Sequence, residues 1–395
     1  MLTFTVNARS KGSRARAGTI KTSHGIIETP AFIPVGTKAT VKSLTPEQIR
    51  DAVGAQAVLA NTYHLYLQPG TDILEKAGGL GKFMNWPGPT FTDSGGFQAF
   101  SLGGNGLNRK SKIQKAGPAA DRSSDEPAAM DMAKVTDEGV AFKSIIDGSS
   151  HMFTPERSIQ IQHSIGADII FAFDECLLPG ETYERQKQAV ERTSVWARRC
   201  LDEHARLLPL TSKLLPLTSK LPAPALFGIV QGGRHEDLRK LSTKQIGSMG
   251  FDGFGIGGSF DKNDIGTAVG WVADGLPEDR PRHLLGIGEP EDIILGIRNG
   301  MDTFDCVAPT RIARTGTAYS SEGRLNITNA RFTDDFGPLD PACACGTCRN
   351  YSRAYLAHLF RAKEMLAATL VSIHNLYFVV NIAKKAREDI LEGRI

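Results

Sequence analysis

Thr303-Phe304-Asp305-Cys306-Val307-Ala308-Pro309-Thr310-Arg311-Ile312-Ala313-Arg314 is the stretch on which the fold turns. Thr303 to Val307 is short and nearly apolar, the pattern of a strand buried on both faces. Pro309 stops it, because proline has no N–H to give to a ladder. Two arginines follow, at i and i+3. The one charged group inside the run, Asp305, is costly to desolvate unless it is paired or lies at the strand's open end. Such a placement suits a catalytic carboxylate. It equally suits a structural aspartate that accepts N–H groups from the following turn.

Outward from this unit the same theme recurs. Eight short apolar runs, 31–36, 57–61, 90–93, 168–175, 226–232, 253–258, 283–288 and 303–307, each end at or near a small or polar residue. Between them, 155–165, 184–208 and 290–298 have helical spacing, with Thr154 and Pro155 as an N-cap and first position. Buried strands that alternate with helices imply a parallel sheet. Eight units match an irregular (β/α)₈ TIM barrel, an α/β fold, better than an open doubly wound sheet. The opening, 4–29, alternates apolar and polar residues with Gly18 and Gly25 as turns, and predicts a small N-terminal antiparallel sheet.

Two stretches break the rhythm. Residues 103–133 are polar and rich in small side chains, as in a loop insertion. Leu207-Leu208-Pro209-Leu210-Thr211-Ser212-Lys213 recurs at once as 214–220, which reads as a duplicated surface connection rather than a repeat architecture. Neither suggests a function.

With 395 residues the chain is long enough for one large domain or two ordinary ones, and its charged and hydrophobic fractions, 23% and 41%, are those of a globular protein. A net charge of +3 excludes a polycation that would hold nucleic acid by bulk charge, so any basic surface is local. The N-terminus has no basic-then-apolar signal pattern, and no apolar run approaches the ~18 residues of a membrane span. A cytoplasmic protein with no membrane partner is expected.

In a barrel the C-terminal strand ends share one face, where active sites lie. The run at 90–93 leads into Asp93-Ser94-Gly95-Gly96-Phe97-Gln98, and the run at 168–175 closes on Asp174-Glu175-Cys176. The fifth ends Gln231-Gly232-Gly233, the sixth Gly257-Gly258, and the eighth supplies Asp305. Three aspartates, a glutamine and exposed backbone amides suit a flat heterocycle with many donors and acceptors. Taken singly, a Gly-Gly pair is as well explained by a turn. No His-x-His or Asp-x-x-Asp spacing accompanies these strand ends, which disfavours a metal-dependent hydrolase.

Six cysteines are present, three of them in Cys343-x-Cys345-x-x-Cys348. Three thiolates in a tight loop with Gly346 at its bend suit a tetrahedral zinc that needs one more ligand, and both His358 and His374 lie downstream. Spacing does not separate them. Four protein ligands would close the site and make it structural.

These residues together resemble the tRNA-guanine transglycosylases, or queuine tRNA-ribosyltransferases. The likeness is carried by Asn61-Thr62-Tyr63-His64-Leu65, Asp93-Ser94-Gly95-Gly96-Phe97-Gln98, Gln231-Gly232, Phe304-Asp305-Cys306-Val307 with Pro309-Thr310-Arg311, and Cys343-x-Cys345-x-x-Cys348 with His374-Asn375. It runs from about Phe4 to the C-terminus, with the motifs in family order. The resemblance implies a barrel over 1–340 and a zinc-binding subdomain with C-terminal helices over 341–395. It implies exchange of the wobble guanine of a tRNA for a 7-deazaguanine, with Asp305 as nucleophile and Asp93 as general acid/base. Asp174, Gln231 and the backbone of Gly258 and Ser259 would read the base, sandwiched by Phe97 and Leu285. Arg311 and Arg314 would hold the anticodon loop. Cys343, Cys345, Cys348 and His374 would bind one structural zinc, and a homodimer is implied.

The chain departs from the family pattern at Gly257-Gly258-Ser259-Phe260, where an apolar residue usually follows the glycines. That wall lies near the base's 7-substituent. Cys176 after Asp174-Glu175 resembles the bacterial members and points to 7-aminomethyl-7-deazaguanine rather than queuine. A non-catalytic relative that only supports RNA binding, and a zinc-ribbon nucleic-acid binder with a passive barrel, are the alternatives. The presence of both Asp93 and Asp305 disfavours the first, and the strand-end carboxylates disfavour the second.

Overall fold

The computed structural model describes residues 2–103, 133–177, 180–213, 221–258 and 264–395. Nearly all of the 103–133 stretch, the second copy of the duplicated heptad, and Ser259 with Phe260 lie outside the described residues.

Each of the eight apolar runs coincides with one strand of a single parallel sheet, the fifth and seventh strands starting one residue before their runs: Ala31–Pro34, Val58–Ala60, Thr90–Thr92, Ile169–Phe171, Ala225–Val230, Gly253–Ile256, Arg282–Leu284 and Thr303–Cys306. Chain order is spatial order, and the eighth strand pairs with the first, Phe304 beside Phe32. The ring closes between the first and second strands through a bridge from Val35 to Leu59, where Gly36 N–H donates to Leu59 O at 2.6 Å. Closure leaves no unpaired edge, which is how strands of three residues persist. Ile33, Leu59, Phe91, Ile169, Phe171, Phe227 and Ile229 share the inner core, while Phe32, Val58, Ile170, Leu226, Phe254 and Phe304 join the core under the helices. Both faces are covered, so the runs read as unbroken apolar stretches.

Strands Thr3–Arg9, Arg16–Thr22 and Gly25–Thr29 form the expected antiparallel sheet and close the barrel's N-terminal end, contributing Phe4, Ile20 and Ile27 to the inner core. Buried Arg16 pairs with Asp302 at 2.9 and 2.6 Å, and His24 Nδ1 lies 2.8 Å from Asp168. The carboxylates at strand beginnings are thereby spent on holding the plug in place. One expectation fails here. Gly18 lies within a strand, not at a turn, and a Cβ there would meet the Phe4 ring at 2.7 Å and Thr5 O at 2.8 Å. Its glycine makes room for Phe4; the turn lies between Ser10 and Ala15.

Pro155–Ile165 and Pro290–Arg298 are helices as expected, the first capped by Thr154 Oγ1, which accepts from Arg157 N at 3.1 Å. The helix Tyr183–Lys213 continues through the first copy of the duplicated heptad, so that copy is not a connection. A three-stranded antiparallel sheet, Ala133–Val135, Val140–Lys143 and Ser150–Phe153, sits between the third and fourth units and packs on the helix Gly96–Gly103. The helix Met365–Leu391 is long and apolar enough to cross a membrane, contrary to the expectation from the sequence. It is apolar because it is covered on several sides, by the Ala31–Pro34 strand, the Pro290–Arg298 helix and the cysteine loop.

Candidate active site

Asp93 follows the third strand, and two residues of the neighbouring loop hold its carboxyl. Thr62 N–H donates to Oδ1 at 2.9 Å and the Asn61 amide donates to Oδ2. Asn61 also caps the helix Thr62–Leu67 by accepting from His64 N at 3.0 Å, which fixes its rotamer and hence the donor facing Asp93. Burial foremost, with the charge of Asp305 adding to it, pushes the Asp93 carboxyl up to about 7 against the lowering pull of the Thr62 N–H and the Asn61 amide. Asp93 and Asp305, far apart in the chain, thus stand close enough for the charge of one to act on the other.

Asp305 lies on the inward face of the eighth strand, 9% exposed. Its Oδ1 accepts from Gly286 N–H at 2.9 Å and from His283 Nε2 at 3.0 Å. The apolar run therefore takes up its carboxylate because the neighbouring seventh strand and its loop supply donors.

Asp174 lies beyond the fourth strand, whose ladder ends at Phe171, earlier than the run 168–175 suggested. Ser94 Oγ donates to its Oδ1 at 3.1 Å and Gln231 Nε2 to its Oδ2 at 2.6 Å. Burial pushes Asp174 up to about 6, although these two donors pull it down. Gly258 has φ +95°, and a Cβ there would stand 2.9 Å from both Gln231 Oε1 and Arg239 Nη2. Only glycine fits this corner with its peptide groups open. Beneath it the buried Arg239 donates to the carbonyls of Gly233 and Gly257, both at 2.7 Å, which ties the fifth and sixth strand ends together. Burial holds the nearby Cys176 thiol up at about 12, so it is protonated.

Phe97 is 40% exposed on the first turn of its helix, and Leu285 is half-buried on top of the inner core. Arg311 is exposed and Arg314 half-buried, on and just after the helix Ala308–Ala313; among the described residues neither has an ion-pair partner. Ser259 lies outside the described residues.

Cys343, Cys345, Cys348 and His374 converge, with ligand atoms within 4.8 Å of one another. His374 Nδ1 lies 3.7, 3.4 and 3.2 Å from the three sulfurs in chain order. Bonds of about 2.3 Å to sulfur and 2.0 Å to nitrogen at tetrahedral angles put N and S about 3.5 Å apart, so this donor set fits a closed four-ligand metal site. His374 Nε2 donates to Tyr319 O at 2.7 Å, which leaves the Nδ1 lone pair for the metal. His358 lies on the neighbouring helix Arg353–Arg361, outside this cluster.

The sequence gives no site role to Arg239, His283 or Gly286, and Ser94 stands in the Asp93 motif without one. Asn61 and Thr62 stood in a motif without a role. A histidine opening the otherwise uncharged run His283-Leu284-Leu285-Gly286-Ile287-Gly288 is the one signal the sequence offers.

The family described as queuine tRNA-ribosyltransferase matches residues 10–395. The chain is 48% identical to the queuine tRNA-ribosyltransferase of Roseiflexus sp. (strain RS-1), over 100% of this chain and 97% of that protein. It is 47% identical to that of Thermoanaerobacter pseudethanolicus, over 97% of this chain and 92% of that protein. The protein of the same name from Staphylococcus aureus (strain bovine RF122 / ET3-1) is 45% identical, over 98% of this chain and 91% of its own length.

Proposed function

The chain belongs to the queuine tRNA-ribosyltransferase family, and on that premise we propose that it exchanges the wobble guanine of a tRNA anticodon for 7-aminomethyl-7-deazaguanine through a covalent Asp305–ribose intermediate. The observation that carries this reading is the pair Asp93 and Asp305. One carboxyl keeps its proton to about 7, beside another that accepts two N–H donors. Two carboxyl groups in such different environments divide naturally into acid and nucleophile.

Displacing a base from ribose C1′ passes through an oxocarbenium-like state, which a carboxylate stabilises and then traps. Asp93 gives its proton to the departing purine and takes one from the incoming base. Asp174 and Gln231, already hydrogen-bonded to one another, open toward the N–H and carbonyl edge of the base, with the peptide groups of Gly258 beside them. Phe97 and Leu285 flank the ring, and the backbone of Ser259 joins the base-reading set on the strength of the family resemblance. The target nucleotide is splayed out of its loop, which costs least where it is single-stranded. Arg311 and Arg314, without carboxylate partners among the described residues, are free to hold phosphates, which positions the loop without specifying it.

Cys343, Cys345, Cys348 and His374 hold a structural zinc in this reading, within a subdomain over 341–395. A second copy of the chain as partner and a cytoplasmic setting belong to the same proposal. The test is to mix protein and unmodified tRNA, quench in SDS, and look for a stable adduct. The parent forms it and Asp305→Asn does not. An adduct in Asp305→Asn equal to the parent's removes the nucleophile assignment.

A further inference from the structure

We propose that His283 and the Gly286 N–H select Oδ2 of Asp305 as the attacking atom and speed the release of the ribose from it. The proposal rests on Asp305 being the nucleophile. His283 is completely buried, its ring 5.7 Å from that of Phe91 and 5.2 Å from that of Phe171. Its two nitrogens are both hydrogen-bonded, Nδ1 at 2.8 Å from Thr303 Oγ1 and Nε2 at 3.0 Å from Asp305 Oδ1. A carboxylate only accepts, so Nε2 carries a proton, and in the neutral ring Nδ1 takes the Thr303 hydroxyl proton as acceptor. Oδ1 of Asp305 is thus occupied by two N–H donors. Among the described residues no hydrogen bond reaches Oδ2.

The chemistry follows from that asymmetry. The C1′–N9 bond of guanine breaks with its electron pair going to nitrogen, and Oδ2 bonds to C1′. Oδ1 becomes the carbonyl oxygen of the ester, still facing His283 and Gly286. When N9 of the incoming base displaces Oδ2, negative charge returns to the carboxylate, and both donors bind it more strongly than they bound the ester carbonyl. These donors therefore favour breakdown of the adduct over its formation and keep the intermediate short-lived. His283 does not touch the reacting atoms; it is a positioning residue that acts through Asp305.

The experiment follows adduct formation and its decay in a chase with excess guanine, using the full chain and unmodified tRNA. Glutamine can place its amide nitrogen near the Nε2 position, whereas asparagine is too short. We expect His283→Asn to slow decay roughly 10- to 100-fold, as loss of a hydrogen bond to a charged group implies, with more enzyme trapped as adduct and tRNA KM unchanged. His283→Gln should decay within about threefold of the parent. Equal decay in the two variants, or parental decay in His283→Asn, overturns the proposal, since loss of packing alone would not distinguish them. If His283→Asn does not fold, Thr303→Val serves instead. It keeps the strand's shape and should slow decay a few-fold; parental decay there overturns the proposal. Asp305→Asn is run alongside, and an adduct in that variant sinks the nucleophile assignment itself, a result separate from any His283 outcome.

Discussion

Asn375 donates its side-chain amide to Pro309 O at 3.0 Å, joining the helix that carries His374 to the short helix Ala308–Ala313 just after Asp305. The same amide reaches Thr317 O at 3.0 Å, and its Oδ1 accepts from Tyr319 N at 2.9 Å. His374 is bonded to the carbonyl of that same Tyr319. The cysteine loop, the hairpin Thr317–Ser320 and Gly323–Asn326, and the helix bearing Arg311 are therefore one hydrogen-bonded block.

Removing the metal should loosen this block. Chelation is expected to lower the melting temperature by roughly 10 °C or more, because structural zinc contributes several kcal/mol to folding. Adduct formation should fall with it. A chelated protein that melts as before has no structural metal, and the Cys3His assignment falls.

Asn375→Ala strands the buried Pro309 carbonyl and Tyr319 N–H and the half-buried Thr317 carbonyl. A cost of about 2–4 kcal/mol is expected from groups left unpaired in the interior. Denaturant melts read it directly, and a loss under about 0.5 kcal/mol would mean that the block is not held by this side chain.

Asp93 predicts a pH-dependent stability with a defined sign. Its folded carboxyl titrates near 7, above the ordinary value of 3.8, so folding takes up a proton between the two. The contribution is harmless below pH 4, becomes destabilising as the pH rises through 4 to 7, and is constant above that. The melting temperature of Asp93→Asn minus that of the parent should therefore increase from pH 5 to pH 8. A flat difference contradicts the raised value. In activity, Asp93→Ala should abolish exchange while filter-binding to tRNA persists; unchanged exchange removes Asp93 from the chemistry.

Gln231→Ala takes away the 2.6 Å donor to Asp174 Oδ2 and the amide offered to a base carbonyl. The KM for the incoming base should rise roughly 10- to 100-fold, with tRNA affinity unchanged. Equal effects on both substrates would point to a collapsed strand end instead.

For Arg311 and Arg314 the diagnostic is salt. Alanine at both should weaken tRNA binding and reduce the slope of log K against log salt by about 1.4, at ~0.7 per single-strand phosphate contact. An unchanged slope means that neither arginine reaches a phosphate.

The amino-acid sequence by itself determined the barrel. Eight apolar runs, each ending on a small or polar residue, allow one arrangement that buries both faces and leaves no edge; six strands lie within their runs, and those at Ala225–Val230 and Arg282–Leu284 begin one residue earlier. It also determined three of the four residues of the Cys3His cluster, because Cys343, Cys345 and Cys348 are local in the chain. The fourth was different. Spacing leaves His358 and His374 equal; the family resemblance implies His374, and the physical reason is the path of the helix Met365–Leu391, which turns His374 toward the sulfurs.

The partners of the carboxylates were likewise decided by tertiary structure. Asn61 and Thr62 meet Asp93, Gln231 meets Asp174, and His283 meets Asp305 across neighbouring strand ends. Period-two alternation says which face a side chain takes, but not which residue of the next strand stands beside it. That register comes from the stagger and twist of the closed barrel, to which residues far apart in the chain contribute together. For the same reason Asp168 and Asp302, alike in composition to the strand-end aspartates, became locks at the opposite end of the barrel.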